Sequence, residues 1–202
     1  IRQWRGQWHT PELPFLWVQL ANFRTGRDTP AESPWALLRE SQSTALALPF
    51  TAQAVTIDIG DPRDIHPANK QDVAHRLALA ARRIAYAETL VPAAPVFDRV
   101  EFVGGEARVR FDHGHALAVR DGGNRVGGFV LAGADRRFHA AQATLVDGIV
   151  VVRSPQVAEP HAVRYGWRDN PDDADLVGTN LVGADIAGRG QLPVAPFRSD
   201  VW

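Results

Sequence analysis

The chain has 202 residues, 45% of them hydrophobic and 22% charged, with a formal net charge of −1. That balance offers no basic footprint for nucleic acid and no polybasic patch for a membrane, and no apolar run approaches the roughly 20 residues that span a bilayer. Cysteine is absent, which excludes disulfides and thiolate chemistry and leaves the redox compartment open. Methionine is absent too, and the opening IRQWRGQW lacks the pattern of a signal peptide, so the chain reads as a trimmed C-terminal portion of something longer. Among 22 basic residues Lys70 is the only lysine, which marks a coding bias and not a binding site.

In chain order, Ile1–Trp8 reads as the end of a helix. Pro14–Leu20 (PFLWVQL) is an apolar run bounded by prolines and polar residues, which predicts a buried strand. Pro34–Leu48 carries Trp35, Leu38, Ala45 and Leu48 among strong helix formers, and Pro49 ends it. Gln53–Ile59, rich in β-branched residues, predicts a second strand. Pro67 suits the first turn of the next helix, in which Val73, Leu77, Ala80 or Ala81, and Ile84 recur at helical spacing through Glu88. Strand, helix, strand, helix with short connections predicts a right-handed parallel crossover. Two strands and two full helices leave sheet faces uncovered, which again implies missing partners.

Thr89–Pro95 (TLVPAAP) predicts a linker that separates residues 1–90 from 91–202. Beyond it come β-like runs at Phe97–Val103, Ala107–Phe111, Ala116–Val119, Val126–Leu131, Ala140–Val146, Ile149–Arg153 and Ala162–Trp167. Glycine and aspartate turns separate them, a spacing that predicts an antiparallel sandwich-like or barrel-like module. From AspAsnPro (169–171) onward the chain reads as an irregular tail packed over other elements.

The stretch Asp58–Lys70 (DIGDPRDIHPANK) places His66 and several carboxylates where a strand gives way to a helix. Ligands and chemistry gather at such junctions, outside the carboxyl ends of parallel strands. A general base needs a neutral imidazole held through one nitrogen while the other faces the substrate, and Asp64 or Asp61 is placed to hold it. The competing reading makes His66 a helix-start residue bonded to local backbone. Asn22, with Gln19 before it, follows the first strand as His66 follows the second, which brings both to one sheet edge as candidate substrate contacts. Against this stands the reading that Gln19 and Asn22 satisfy backbone groups in a turn.

AspHisGlyHis at Asp112–His115 has the look of a metal site, but Gly114 favours a hairpin turn and no second ligand cluster is visible; no metal is expected. Tyr165 and Trp167 offer rings that could stack on sugar, or that fill a core. None of Ser33, Ser41, Ser43, Ser154 and Ser199 lies in a G-x-S-x-G elbow. The chain reads as half of an active site.

Several motifs, taken together and in order, resemble a known family. They are ValGlnLeuAlaAsnPhe (Val18–Phe23), TrpAlaLeuLeuArgGlu (Trp35–Glu40), and ValThrIleAspIleGlyAsp followed by AspIleHisPro (Val55–Pro67). GlyPheValLeuAlaGlyAlaAsp (Gly128–Asp135), ValArgTyrGlyTrpArgAspAsnPro (Val163–Pro171) and ProPheArgSerAsp (Pro196–Asp200) continue the series. The chain is similar, along essentially its whole length, to the sialate O-acetylesterase family of SGNH/GDSL hydrolases, which includes bacterial acetylesterases acting on plant polysaccharides.

The resemblance implies the C-terminal part of an α/β, flavodoxin-like parallel-sheet hydrolase domain followed by an all-β sandwich-like module. It implies a carbohydrate O-acetylesterase with His66 as catalytic base, and no metal or organic cofactor. The family's nucleophile lies in a GlyGlnSerAsn motif, with a further GlyGluSerAsn element; both belong upstream, and neither occurs here. The N-terminal portion of the same protein is therefore the expected partner, whether joined covalently or as a second chain. An acetylated carbohydrate, either a sialate ester or a hemicellulose such as xyloglucan, is the expected substrate. Export to the periplasm or beyond is implied as well. The superfamily often sets its aspartate three positions before the histidine, where this chain has Arg63. Asp64 stands two before and Asp61 five before, so a carboxylate or a main-chain carbonyl could orient His66.

Overall fold

The computed structural model describes residues 1–24, 33–89, 94–112, 117–179 and 191–202. The first part contains α1 (Arg2–Gln7), β1 (Phe15–Val18), α2 (Pro34–Thr44) with a 3-10 turn at Ala45–Ala47, β2 (Thr51–Ala54) and α3 (Lys70–Ile84). β1 and β2 pair in parallel, with Phe15 opposite Thr51 and Val18 opposite Ala54, as the alternation of strand and helix predicts.

Helix α2 begins where Ser33 accepts the Ala36 N–H at 3.0 Å, with Pro34 in the first turn. Its buried face is Ala36 and Arg39, whereas Leu38 is 48% exposed. Helix α3 starts later than Pro67 suggests. Asn69 caps it by accepting the Asp72 N–H at 3.1 Å while donating to the Asp72 carboxylate at 2.7 Å. This reciprocal cap fixes the start three residues beyond the proline, which leaves Pro67 in the loop.

The second strand also departs from expectation, ending at Ala54 and not at Ile59. Val55 and Ile57 turn away and bury in the core of the β-rich part. The carbonyl of Val55 is taken by the Arg76 guanidinium at 2.7 Å, and Thr56 Oγ1 donates to the Gln19 carbonyl at 2.7 Å. Backbone groups a longer strand would have paired are thus satisfied by side chains.

The β-rich part comprises β3 (Val96–Val103), β4 (Glu106–Asp112), β5 (Leu117–Val119), β6 (Arg125–Val126), β7 (Phe129–Ala132), β8 (Phe138–Ala140), β9 (Gln142–Val146), β10 (Ile149–Arg153), β11 (Ala162–Tyr165), β12 (Leu176–Gly178), β13 (Leu192–Pro193) and β14 (Phe197–Arg198). All its pairings are antiparallel. They form sheets in the orders β3-β4-β10-β9-β6, β14-β11-β7-β8 and β13-β12-β5. These sheets share one core, with Ala107, Val109 and Val150 from the first, Leu131 and Val163 from the second, and Val119 and Leu176 from the third. β4 alternates buried with more exposed residues, as a strand with one face on a core should. β7 and β11 are buried at every position.

The run read as one strand over Val126–Leu131 divides into β6 and β7 at Gly127–Gly128. Gly128 has φ +78, and a Cβ on Gly127 would lie 2.2 Å from the Asp173 carbonyl oxygen. Described segments of the stretch read as a tail also join the sheets: β12 pairs with β5, and β14 with β11.

Candidate active site

The loop between β2 and α3 is tied down at both ends. At its start, the Asp58 side chain, 7% exposed, is paired through both oxygens with Arg76 of α3, at 2.6 and 2.7 Å. Arg120, from the β-rich part, adds a third member at 3.3 Å. At its end stands the Asn69 cap. Between these anchors Asp61 builds the turn, its carboxylate accepting the Arg63 N–H at 2.8 Å and its carbonyl the Asp64 N–H at 3.3 Å. Arg63 points to solvent, its side chain 86% exposed.

His66 emerges from this turn with its side chain 82% exposed. Asp64 Oδ1 accepts the His66 backbone N–H at 2.9 Å and lies 3.1 Å from His66 Nδ1. A carboxylate only accepts hydrogen bonds. The backbone hydrogen bond from His66, followed by that from its ring, holds the Asp64 carboxyl below its usual range. Nδ1 therefore carries the proton in the neutral ring, and Nε2 presents its lone pair outward. Of the alternatives open in the sequence, the side chain of Asp64 is the group in contact with the ring, while Asp61 shapes the turn beneath it.

Gln19 and Asn22 each satisfy backbone groups, as the competing reading has it, and neither is placed as a substrate contact. Gln19 is fully buried, and its amide donates to the Arg39 carbonyl at 3.3 Å and to Ser43 Oγ at 3.0 Å. It has no surface with which to meet a substrate, because it faces α2 and not the sheet edge. Asn22 is 8% exposed. Its Oδ1 accepts the Gly60 N–H at 2.6 Å, and its Nδ2 donates to Asn170 Oδ1 at 2.8 Å. Asn22 holds the His66 loop from below and does not reach out to a ligand.

The serines are occupied elsewhere. Ser33 donates to the Asp169 carboxylate, Ser41 to the Leu37 carbonyl and Ser154 to the Ala140 carbonyl. Ser43 accepts from Gln19 and Gln53, and Ser199 from the Val163 N–H. Among the described residues none hydrogen-bonds His66.

Tyr165 and Trp167 are 0% and 3% exposed, so neither ring is available to stack on sugar. The Tyr165 hydroxyl accepts the Leu176 N–H at 2.8 Å, and burial pushes its phenol far up. Trp167 packs beside the Arg164 and Arg198 guanidinium groups. Of the Asp112–His115 pattern, residues 113–115 lie outside the described residues. Among the described residues no group of acidic and histidine side chains is placed to hold a metal ion.

Two arginines that organise the site escaped the sequence reading. Arg39, fully buried, donates to the carbonyls of Leu20, Ala21, Arg168 and Asp169. Arg76 holds Asp58. Each lies on the buried face of its helix, Arg39 three residues after Ala36 and Arg76 four before Ala80. An arginine on the face that turns inward is the signal that could have found them.

The chain is similar along its whole length to a solved structure, described as the crystal structure of a novel carbohydrate acetylesterase from Xanthomonas citri. The two are 59% identical with a TM-score of 0.89, and the match covers 100% of this chain and 44% of that one. The chain thus spans less than half the length of that protein. No family model matches the chain, and no curated protein does. At this level of identity, and over this whole span, what the chain resembles is a carbohydrate acetylesterase.

Proposed function

We propose that this chain carries the general base of a carbohydrate O-acetylesterase, and that the nucleophilic serine comes from an upstream segment of the same protein. The observation that carries this reading is the contact of Asp64 with His66 Nδ1, which leaves Nε2 exposed on a loop beside the ends of parallel strands. The likeness to a carbohydrate acetylesterase supplies the substrate class. In this reading residues 1–90 are the C-terminal part of an SGNH hydrolase domain and residues 91–202 a β-rich module.

The chemistry follows from the lone pair on Nε2. His66 takes the proton of the serine hydroxyl as its oxygen attacks the acetyl carbonyl, and Asp64 stabilises the imidazolium that forms. The proton then passes to the departing sugar oxygen, leaving an acetyl-serine. His66 activates water in the second half, which releases acetate and restores the serine. The donors that hold the oxyanion come with the upstream segment.

The need for that segment is supported by apolar surface in the first part. Trp4, Trp8, Leu37 and Leu38 are 54%, 60%, 45% and 48% exposed, and among the described residues both outer edges of the β1–β2 pair are unpaired. A second reading, a non-catalytic carbohydrate-binding protein, would draw on the sandwich-like β-rich part and on Tyr165 and Trp167; the burial of both rings removes the second of these supports.

Asp64→Asn in the complete protein is expected to lower kcat for p-nitrophenyl acetate by about 10²-fold or more, because the imidazolium loses its counter-charge. A fall below about threefold would transfer the orienting role to the main chain. Acetate release from acetylated xyloglucan, compared with release from acetylated sialic acid, decides the carbohydrate; we favour the polysaccharide. We place the protein in the periplasm or outside the cell, a localisation that cell fractionation checks.

A further inference from the structure

Residues 22–24 form a strap between two loops. On one side Asn22 Oδ1 accepts the Gly60 N–H at 2.6 Å, and the Arg24 N–H donates to the Pro62 carbonyl at 2.9 Å. Both contacts fall on the loop that carries Asp64 and His66. On the other side Asn22 Nδ2 donates to Asn170 Oδ1 at 2.8 Å, and the Phe23 N–H to the Asp169 carbonyl at 3.2 Å. Arg39 clamps this second loop by binding the carbonyls of Arg168 and Asp169.

The orientation of the Asn22 amide is fixed by the Gly60 N–H. The Gly60 N–H needs the oxygen, so the nitrogen must face Asn170, whose oxygen receives it. Gly60 sits so close that a Cβ there would lie 2.2 Å from the Asn22 carbonyl oxygen and 2.4 Å from Oδ1. The loop therefore rests directly on the strap, and a turned or displaced Asn22 amide displaces the loop.

From this geometry we infer that Asn170, a residue of the β-rich part 148 positions away from Asn22, is a positioning residue for His66. Through Asn22 and Gly60 it sets the loop on which the Asp64–His66 pair is mounted. The β-rich part then belongs to the scaffold of the site and is not an appended binding module. This inference rests on the base role proposed for His66.

The test uses the complete protein and p-nitrophenyl acetate. Asn170→Ala leaves Asn22 Nδ2 without its acceptor and is expected to lower kcat about 10-fold, within the range that a misplacement of about 1 Å costs, with KM unchanged. Asn170→Asp keeps an oxygen in the same place and is expected to restore kcat to nearly wild type. The double variant Asn22→Ala/Asn170→Ala is expected to be no slower than Asn22→Ala alone, since both act through one contact.

Wild-type kcat in Asn170→Ala, or Asn170→Asp as slow as the alanine variant, overturns the inference. If Asn170→Ala does not fold, Asn170→Ser, too short to reach Asn22, replaces it, and equal kcat in the serine and aspartate variants overturns the inference. His66→Ala is assayed alongside. Activity there removes the base assignment itself, whereas an inactive His66→Ala beside a fully active Asn170→Ala removes only the positioning role.

Discussion

Replacing His66 by alanine in the complete protein is expected to lower kcat for p-nitrophenyl acetate by about 10²–10⁴-fold, the range a positioned general base contributes. Folding should be nearly untouched. The ring is 82% exposed, and its hydrogen bond is to Asp64, two residues away on the same turn. Exposed substitutions of this kind usually change stability by no more than about 0.5 kcal/mol. A thermal melt superimposable on wild type, together with the loss of turnover, separates a chemical role from a structural one. Normal turnover would remove His66 from the mechanism.

Arg39→Met should do the opposite, destabilising the fold without touching the reacting groups. Arg39 is fully buried, and its guanidinium donates to four carbonyls at 2.6 to 2.9 Å. Burial brings its pKa down to about 10 despite the attraction of Asp169, so it remains charged at neutral pH. Methionine fills similar volume but supplies no donor. Buried polar groups left unsatisfied cost roughly 1–3 kcal/mol each, so a loss of about 4 kcal/mol is expected. Arg39→Lys should recover little, since an ammonium cannot span carbonyls on both sides as the planar fork does. Urea denaturation reads the difference, and a change under about 1 kcal/mol would show that the clamp is dispensable.

The parts of the fold that sequence revealed are those governed by local pattern. β1 and the body of α2 follow from apolar runs and helix formers bounded by proline, and β3, β4 and β10 from short β-branched runs between turns. What stayed hidden depends on contacts distant in sequence. β12 to β14 are two or three residues long and exist because β5 receives β12, β12 receives β13 and β11 receives β14. β2 ends early because Arg76, 21 residues on, captures the Val55 carbonyl.

The candidate site divides in the same way. The Asp64–His66 contact lies within one turn, and the spacing of the two residues makes it legible. Gln19, near the end of the predicted strand, reads as a candidate substrate contact, but the packing of α2 against it buries it. Asn22 lies against the His66 loop, and its bond to Asn170, 148 positions away, makes it a support and not a ligand contact.

The central claim is that the outward nitrogen of His66 faces a serine brought by another part of the protein. It is tested most directly by treating the complete protein with a fluorophosphonate and solving the structure of the adduct. The account predicts phosphorus on a serine outside these 202 residues, with His66 Nε2 within about 3.2 Å of the serine oxygen or one water away, and Asp64 still on Nδ1. Phosphorus on a serine whose surroundings exclude His66 would contradict it.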